Sequence, residues 1–240
     1  MTRAKARVLL VGVGGIGCPA ALVLARAGVG TIGLCDDDDV EQANLHRQVL
    51  YTDSDVGTPK VEAAARALRR VTPGIDLRLH RRRLVPDRAA ALVSEYDLVL
   101  EGADNFATKF LTADACALSG TPVVHASAVR WVGTALAVGP SGRPCYRCLF
   151  ENVPSEGGAA CSEAGVMGPV VGVIAAAQAD LALSVLDGNP RYGELVTFDG
   201  RSDVLRRRYI ATRSDCDLCG ERPRIISVES QAYAAPAFTG

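Results

Sequence analysis

Short apolar runs alternate with longer amphipathic stretches along the first half of the chain, a pattern typical of parallel strands joined by helices. The run at residues 8–11 leads directly into glycines spaced G-x-G-x-x-G. Strands are expected at 8–11, 31–35, 75–80, 97–102 and 122–126, and helices at 18–27, 59–71, 86–95 and 106–118. This alternation predicts an α/β, Rossmann-like fold with a mostly parallel sheet and helices on both faces.

The second half of the chain departs from this pattern. Residues 129–138, 194–198 and 204–210 alternate like antiparallel strands that extend the sheet, and Trp131 falls near the start of the first. Residues 168–186 are apolar on nearly all sides, which predicts a central buried helix rather than a membrane span. One domain is therefore expected over 1–220, with a nucleotide-binding part at about 1–126, followed by a partly disordered tail at 221–240.

Composition narrows the class of protein. The 240 residues are 48% hydrophobic and carry a formal net charge of −1, which indicates a soluble globular protein without the field that attracts nucleic acid or a membrane. The basic run Arg81-Arg82-Arg83 is expected to be a solvated edge, because no second basic run accompanies it. The apolar start is similar to a secretory signal, but its glycines and proline disfavour a signal helix. A cytoplasmic protein is therefore expected.

The glycine turn predicts a site for phosphate. Backbone N–H groups at the start of a helix, together with the helix dipole, favour an anion there, although glycines also serve plain helix–strand packing. Asp36 ends the second strand about twenty residues beyond the turn, where a carboxylate can bind a ribose hydroxyl. The alternative is that the run Asp36-Asp37-Asp38-Asp39 is only a solvated turn. Asp38 is expected to support the neighbouring arginine, and Asp37 and Asp39 to stay at the surface.

Further polar residues follow strand ends. The cluster Asn44-Leu45-His46-Arg47-Gln48 comes after the aspartate run. Lys60 falls in the first turn of a helix that Thr58 is expected to cap, where the dipole disfavours a cation, so Lys60 is expected to face an anion. Asp104 and Asn105 follow the strand at 97–102, at the edge where open α/β sheets bind ligands. Asp104 is either the N-cap of the next helix or a ligand for a metal–phosphate group.

Two Cys-x-x-Cys pairs, Cys145/Cys148 and Cys216/Cys219, supply the four thiolates of a tetrahedral structural zinc site. One pair alone would also fit a redox function, but two pairs favour zinc. Their separation exceeds the roughly 15–20 residues of a compact ribbon, so the site is expected to clip the C-terminal segment onto the loop after Gly142. Four further residues in apolar patterns are expected to belong to the core: Cys18, Cys35, Cys116 and His125.

These motifs, in this order, closely resemble the ThiF/MoeB/HesA family of adenylyltransferases, which are related to the catalytic half of ubiquitin-activating enzymes. The resemblance extends from about Arg7 to Gly220. The segment 161–169, Cys-Ser-Glu-Ala-Gly-Val-Met-Gly-Pro, is similar to the MoeB-like, zinc-containing branch. The resemblance implies a single adenylation domain in which residues 127–220 serve the carrier and the zinc.

The resemblance also implies a reaction. A ubiquitin-like sulfur-carrier protein presents its C-terminal Gly-Gly carboxylate to bound Mg-ATP, and an acyl adenylate and pyrophosphate form. The residues implied in the ATP site are Gly12, Gly14, Gly15, Gly17, Asp36, Asp38, Asn44, Arg47, Gln48, Lys60, Asp104 and Asn105. Arg47, Gln48 and Lys60 correspond to phosphate contacts, and Asp104 to the ligand of Mg²⁺. Cys161 corresponds to a loop cysteine that takes part in sulfur or carrier transfer in some members.

The sequence departs from the family in two places. Members usually begin with a helix whose arginine reaches the partner's phosphates across a homodimer, but only seven residues precede Val8 here. We expect that the chain is truncated, that Arg3, Lys5 or Arg7 takes the place of this arginine, or that another subunit supplies the cation. No rhodanese-like domain follows, so another protein is expected to donate the sulfur.

Three other functions compete with adenylation of a carrier protein. An inactive scaffold that binds nucleotide and carrier, and activation of a tRNA-bound carboxylate, both stay open. A nicotinamide dehydrogenase would use the glycine turn and Asp36, but it leaves Lys60, Asp104 and the paired cysteines unexplained.

Overall fold

The computed structural model describes residues 2–152, 165–228 and 233, and its strands form one sheet. The strands are β1 Arg7–Val11, β2 Thr31–Cys35, β3 Asp76–His80, β4 Leu98–Glu101, β5 Val123–Val129, β6 Val132–Val138, β7 Glu194–Asp199 and β8 Val204–Tyr209. The helices are α1 Gly17–Arg26, α2 Lys60–Val71, α3 Pro86–Ser94, α4 Phe106–Ser119, α5 Tyr146–Phe150 and α6 Gly168–Leu186.

The strand order creates a crevice at one edge of the sheet. The order is β3-β2-β1-β4-β5-β6-β7-β8, with parallel pairing from β3 to β5 and antiparallel pairing from β5 to β8. From β1 the chain proceeds to one side through β2 and β3, and then continues from β4 on the other side. The loops after β1 and β4 therefore diverge, which is where open α/β sheets bind ligands. The predicted fold class is confirmed.

Helices cover both faces of the sheet, as predicted. One core cluster includes Leu24 of α1, Leu68 of α2 and Leu181 of α6. The opposite cluster includes Leu92 of α3 and Phe110 of α4. By length and composition α6 is a candidate membrane span, but it packs against α1, β5 and β6. It is therefore a helix of the core, with the bounds that the apolar pattern predicts.

Two local predictions are wrong. The strand predicted at 129–138 begins only at Val132, because Arg130 adopts a positive φ of 52° and turns the chain between β5 and β6, so that Trp131 lies in the turn. Thr58 does not cap α2, because Pro59 with ψ of 129° occupies the N-cap position and provides no side-chain cap.

Within the predicted tail, Tyr233 packs against the α3–α4 cluster and donates a hydrogen bond to Asp114 Oδ2 at 2.5 Å.

The start of α1 lies in direct contact with the glycine turn. Gly12 has a φ of +91°, a conformation that side chains other than glycine rarely adopt. A Cβ placed on Gly17 would lie 2.1 Å from the carbonyl oxygen of Gly12, so only glycine allows this approach. Gly17 is therefore a packing residue between turn and helix.

We expect Gly17→Ala to lower the free energy of unfolding by about 1–3 kcal/mol, because backbone rather than a flexible side chain would have to move. Gly172→Ala on α6 is the matched control, since its Cβ meets nothing within 4 Å and the residue is exposed. Alanine should stabilise that helix by about 0.5–1 kcal/mol. Urea unfolding measures both. Equal stability of the two variants would contradict the close contact at Gly17.

Candidate functional site

A cavity of about 580 Å³ lies at the carboxyl ends of the parallel strands, in the crevice between the loops after β1 and β4. It is lined by these residues of the predicted site: Gly12, Gly14, Gly15, Asp36, Asp38, Asn44, Arg47, Gln48, Lys60, Asp104 and Asn105. Gly17 does not line it, because it packs against Gly12 behind the turn. Segments that are distant in sequence thus line one cavity.

Asp36 organises the glycine turn. Its carboxylate accepts the Val13 N–H at 2.7 Å and the Asp38 N–H at 2.9 Å. Burial raises the pKa of Asp36 above its usual value, although Lys60 and these two N–H groups oppose the rise. The carboxylate therefore holds two backbone turns together at the place where the sequence predicts a contact to ribose.

Lys60 is the cation that pairs with Asp38. Its Nζ atom lies 2.7 Å from Asp38 Oδ2, and its N–H donates to the Asp38 carbonyl at 3.0 Å. The prediction that Asp38 supports an arginine is therefore wrong, because the start of α2 brings Lys60 closer. Burial alone would lower the pKa of Lys60, but the carboxylates of Asp36 and Asp38 outweigh it and raise the pKa. Lys60 stays charged at the cavity wall.

The arginine run after β3 meets the aspartate run after β2. Arg81 Nη2 lies 3.5 Å from Asp39, and Arg83 Nε lies 3.3 Å from Asp37. These side chains are exposed, as predicted, but Arg82 and Arg83 also line the cavity. The signal for this was present in the sequence, because β2 and β3 are neighbouring parallel strands and their carboxyl ends adjoin.

Asn44 positions Arg47. Its Oδ1 atom accepts from Arg47 Nη2 at 2.6 Å, while its amide donates to Glu41 at 3.0 Å. Gln48 is 3% exposed, and its Oε1 atom has no hydrogen-bond partner in the described residues. A buried amide with an unused acceptor at a cavity wall is suited to a polar ligand.

Asn105, not Asp104, caps α4. The Asn105 Oδ1 atom accepts the Thr108 N–H at 2.8 Å. Across the ranges that the structure describes, Asp104 has no hydrogen bond or ion pair, and it is exposed on the cavity wall. The reading of Asp104 as an N-cap is therefore wrong, and its carboxylate is free to bind a cation.

A buried charge network behind the cavity was missed by the sequence reasoning. Glu101, at the end of β4, is fully buried and accepts from Lys109 Nζ at 3.0 Å, His125 Nδ1 at 3.2 Å and the Ala103 N–H at 2.7 Å. Burial would raise the pKa of Glu101, but Lys109 and His125 reverse the shift and lower it. Burial lowers the pKa of His125. The network holds the loop that carries Asp104.

The only sequence signal for this network was weak. It consisted of ionisable residues inside largely apolar elements: Glu101 in β4, Lys109 in α4 and His125 in β5. The prediction that His125 belongs to the core is confirmed by its 2% exposure.

The four paired cysteines converge. The Sγ atoms of Cys145 and Cys216 lie 3.5 Å apart, those of Cys148 and Cys219 3.4 Å apart, and those of Cys145 and Cys148 3.8 Å apart. Four sulfurs at about 2.3 Å from one tetrahedral zinc would be separated by about 3.8 Å, so the cluster fits such an ion. Cys161 lies outside the described residues.

The remaining predicted cations lie elsewhere. Arg3 pairs with Asp187, and Arg7 pairs with Asp97 at 3.0 Å, before or at the start of β1. Lys5 belongs to the same short 3-10 turn as Arg3. These residues therefore lie at the edge of the sheet opposite the cavity and do not line it.

Known proteins are similar to this chain over most of its length. The profile of the ThiF family matches residues 3–219. The adenylyltransferase and sulfurtransferase MOCS3 of Dictyostelium discoideum is 37% identical over 230 residues, which cover 94% of this chain and 54% of that protein. MOCS3 of Bos taurus is 44% identical over 230 residues, 94% of this chain and 50% of that protein. The chain thus spans about half the length of the curated relatives it matches.

Solved structures share the fold. A crystal structure of E. coli MccB with ATP aligns with a TM-score of 0.79 at 24% identity, covering 90% of this chain and 68% of that one. At this identity the likeness concerns the fold alone.

Lys109→Met should lower the free energy of unfolding by about 3–5 kcal/mol, because it leaves the buried Glu101 carboxylate without its cation. The double variant with Glu101→Gln removes both charges and should recover part of that loss. Arg3→Met, which breaks an exposed ion pair, should change the unfolding midpoint little. Urea unfolding that gives the same midpoint for Lys109→Met and Arg3→Met would contradict the role of the network.

Proposed function

This chain belongs to the ThiF family, and from that premise we propose that it is an ATP-dependent adenylyltransferase that activates the C-terminal Gly-Gly carboxylate of a ubiquitin-like sulfur-carrier protein. One observation carries the proposal. Around a single cavity, the glycine turn, the cationic side chains of Arg47 and Lys60, and the unpaired carboxylate of Asp104 converge. Together these groups can bind a nucleoside triphosphate and the divalent cation that accompanies it.

The chemistry follows from these groups. A carboxylate oxygen of the carrier attacks the α-phosphorus of ATP, the new O–P bond forms as the bond to the bridging oxygen breaks, and pyrophosphate leaves. The step needs positioning and neutralisation of negative charge more than it needs an acid or a base. Arg47 and Lys60 supply fixed positive charge at the cavity wall, and Gln48 supplies a neutral polar group.

Asp104 is the residue that would hold Mg²⁺. Magnesium prefers carboxylate oxygens and phosphates, and Asp104 offers a carboxylate that no protein group in the described ranges occupies. When bound, the ion would supply positive charge to the phosphates. Asp36 and Asn105 complete this end of the site, Asp36 through the backbone groups it holds and Asn105 through the cap of α4.

We extend the proposal to further features that the resemblance implies. These are a homodimer and Cys161 as the thiol of sulfur or carrier transfer; to them we add, beyond the resemblance, that sulfur comes from a donor protein and that the reaction takes place in the cytoplasm. Adenylate formation itself requires none of the thiols, because its nucleophile is a carboxylate.

The cysteine cluster is proposed to bind one structural zinc ion. The four thiolates would fill all the positions of a tetrahedral ion, so no position would be left for a substrate, and the ion would link α5 to the turn at 216–219. Its contribution is therefore to folding.

Metal analysis of the purified protein should give one zinc per chain. Cys216→Ser should lose the metal and melt at a lower temperature, because a structural zinc site contributes to folding. Cys116→Ala is the matched control, since this buried cysteine lies outside the cluster and should keep the zinc. A zinc-free protein with reduced thiols and unchanged stability would overturn this part of the proposal.

The adenylation is tested by carrier-dependent exchange of pyrophosphate into ATP, with a small ubiquitin-like protein that ends in Gly-Gly from the same genome. Lys60→Ala and Asp104→Ala should each lower the exchange rate by about 10²-fold or more, because each removes charge at the transferring phosphate. Arg69→Ala on the same helix as Lys60, and Asp187→Ala, should exchange like the wild type. If the wild type binds ATP and carrier without exchange, the chain is a scaffold instead.

A further inference from the structure

Tyr51 lies behind the glycine turn and lines neither the cavity nor any predicted site. The ring is buried, with 6% exposure, and its hydroxyl donates to the Val13 carbonyl oxygen at 2.7 Å. The same hydroxyl lies 3.2 Å from the carbonyl oxygen of Lys60. Because a hydroxyl has one proton, the shorter contact is the main hydrogen bond. One side chain thus touches the backbone of both elements that face the proposed phosphates.

The contact with Val13 decides where the next N–H points. In a planar trans peptide, the C=O and N–H groups point in opposite directions. Holding the Val13 carbonyl toward the protein interior therefore turns the Gly14 N–H the other way, and Gly14 lines the cavity. Within the ranges that the structure covers, no protein acceptor takes this N–H. An oriented, unused N–H at the start of a helix is a donor for phosphate oxygen.

Neighbouring contacts isolate the role of the hydroxyl. The Val13 N–H belongs to the preceding peptide and is fixed separately by Asp36 at 2.7 Å. Apart from Tyr51, the Val13 carbonyl receives the Cys18 thiol at 3.3 Å, which is a weak donor. Without the tyrosine hydroxyl, that thiol would be the remaining hydrogen-bond donor to the Val13 carbonyl among the described residues, so the direction of the Gly14 N–H would be less firmly fixed.

We infer that Tyr51 is a positioning residue for the triphosphate: its hydroxyl holds the Val13 carbonyl inward and thereby aims the Gly14 N–H group at the phosphates. The inference rests on the proposed ATP site. It adds a residue that acts on the phosphates through the backbone and makes no contact with the base or the ribose.

The test is Tyr51→Phe, which removes the hydroxyl and keeps the ring. Calorimetric titration with Mg-ATP should give a dissociation constant raised roughly tenfold, as expected when a hydrogen bond to a charged group is lost. Binding of adenosine, which has no phosphate, should be unchanged. In pyrophosphate exchange the KM for ATP should rise more than kcat falls, because the N–H contacts the bound substrate as well as the transition state.

The matched control is Tyr96→Phe. Tyr96 is also buried, with 3% exposure, and its hydroxyl lies 2.7 Å from His80 Nε2, outside the cavity. Each variant loses one tyrosine hydroxyl group, so both should melt lower by a few degrees. Of these two tyrosine variants, only Tyr51→Phe should weaken the binding of ATP. Cys18→Ala is a second variant at the same carbonyl and should weaken ATP by less, while Cys116→Ala should not.

The outcomes separate this inference from the proposed function. If Tyr51→Phe binds ATP like the wild type, Tyr51 only stabilises the fold and the inference is overturned, whatever Cys18→Ala does. An equal loss for ATP and adenosine, or a similar loss in Tyr96→Phe, overturns it as well. If the wild type binds ATP but does not exchange pyrophosphate, the proposed adenylation is contradicted. The role of Tyr51 is then still decided by the ATP-binding measurements on the variants. A wild type that does not bind ATP overturns both.

Discussion

The contact between bare backbone segments at the glycine turn is the constraint on which the rest of the structure depends. Gly17 approaches the carbonyl of Gly12, and a Cβ on Gly12 would itself lie 3.0 Å from the backbone of Gly102 and Ala103. The turns after β1 and β4 therefore meet without side chains between them. This close approach places the start of α1 at the crevice, and glycines of both turns, Gly12, Gly14, Gly15 and Gly102, are among the residues that line the cavity.

The charged side chains around the cavity are of two kinds, which differ in how deeply they are buried. The pair of Glu101 and Lys109 is enclosed, and each charge needs its partner because burial removes water from both. Lys60 is similarly held by Asp38 at the cavity wall. Asp104 is exposed to the cavity and unpaired across the described ranges, which costs little because water solvates it. Paired charges shape the site, and the unpaired carboxylate is available to a ligand.

Helix α4 connects the cavity with the cysteine cluster. At its start Asn105 caps it beside Asp104, and one turn later Lys109 reaches Glu101. Further along, Asp114 accepts two hydrogen bonds of 2.8 Å from Arg147, which lies between Cys145 and Cys148. The cluster is thus tied by a buried ion pair to the same helix that borders the cavity. The N-terminal Rossmann-like part and the antiparallel extension share this helix and one sheet.

The sequence by itself determined the features that contiguous residues encode. Periodicity located the strands and the bounds of α6, glycine spacing located the turn, and residue type after each strand located the polar groups of the cavity. Only the tertiary structure decided which groups are partners: Lys60 for Asp38, Asn105 rather than Asp104 as the cap, Lys109 and His125 for Glu101, and the Tyr51 hydroxyl for Val13. The physical reason is distance. Hydrophobic period and turn chemistry act within a few residues, whereas an ion pair or hydrogen bond forms within about 3 Å between segments that only packing brings together.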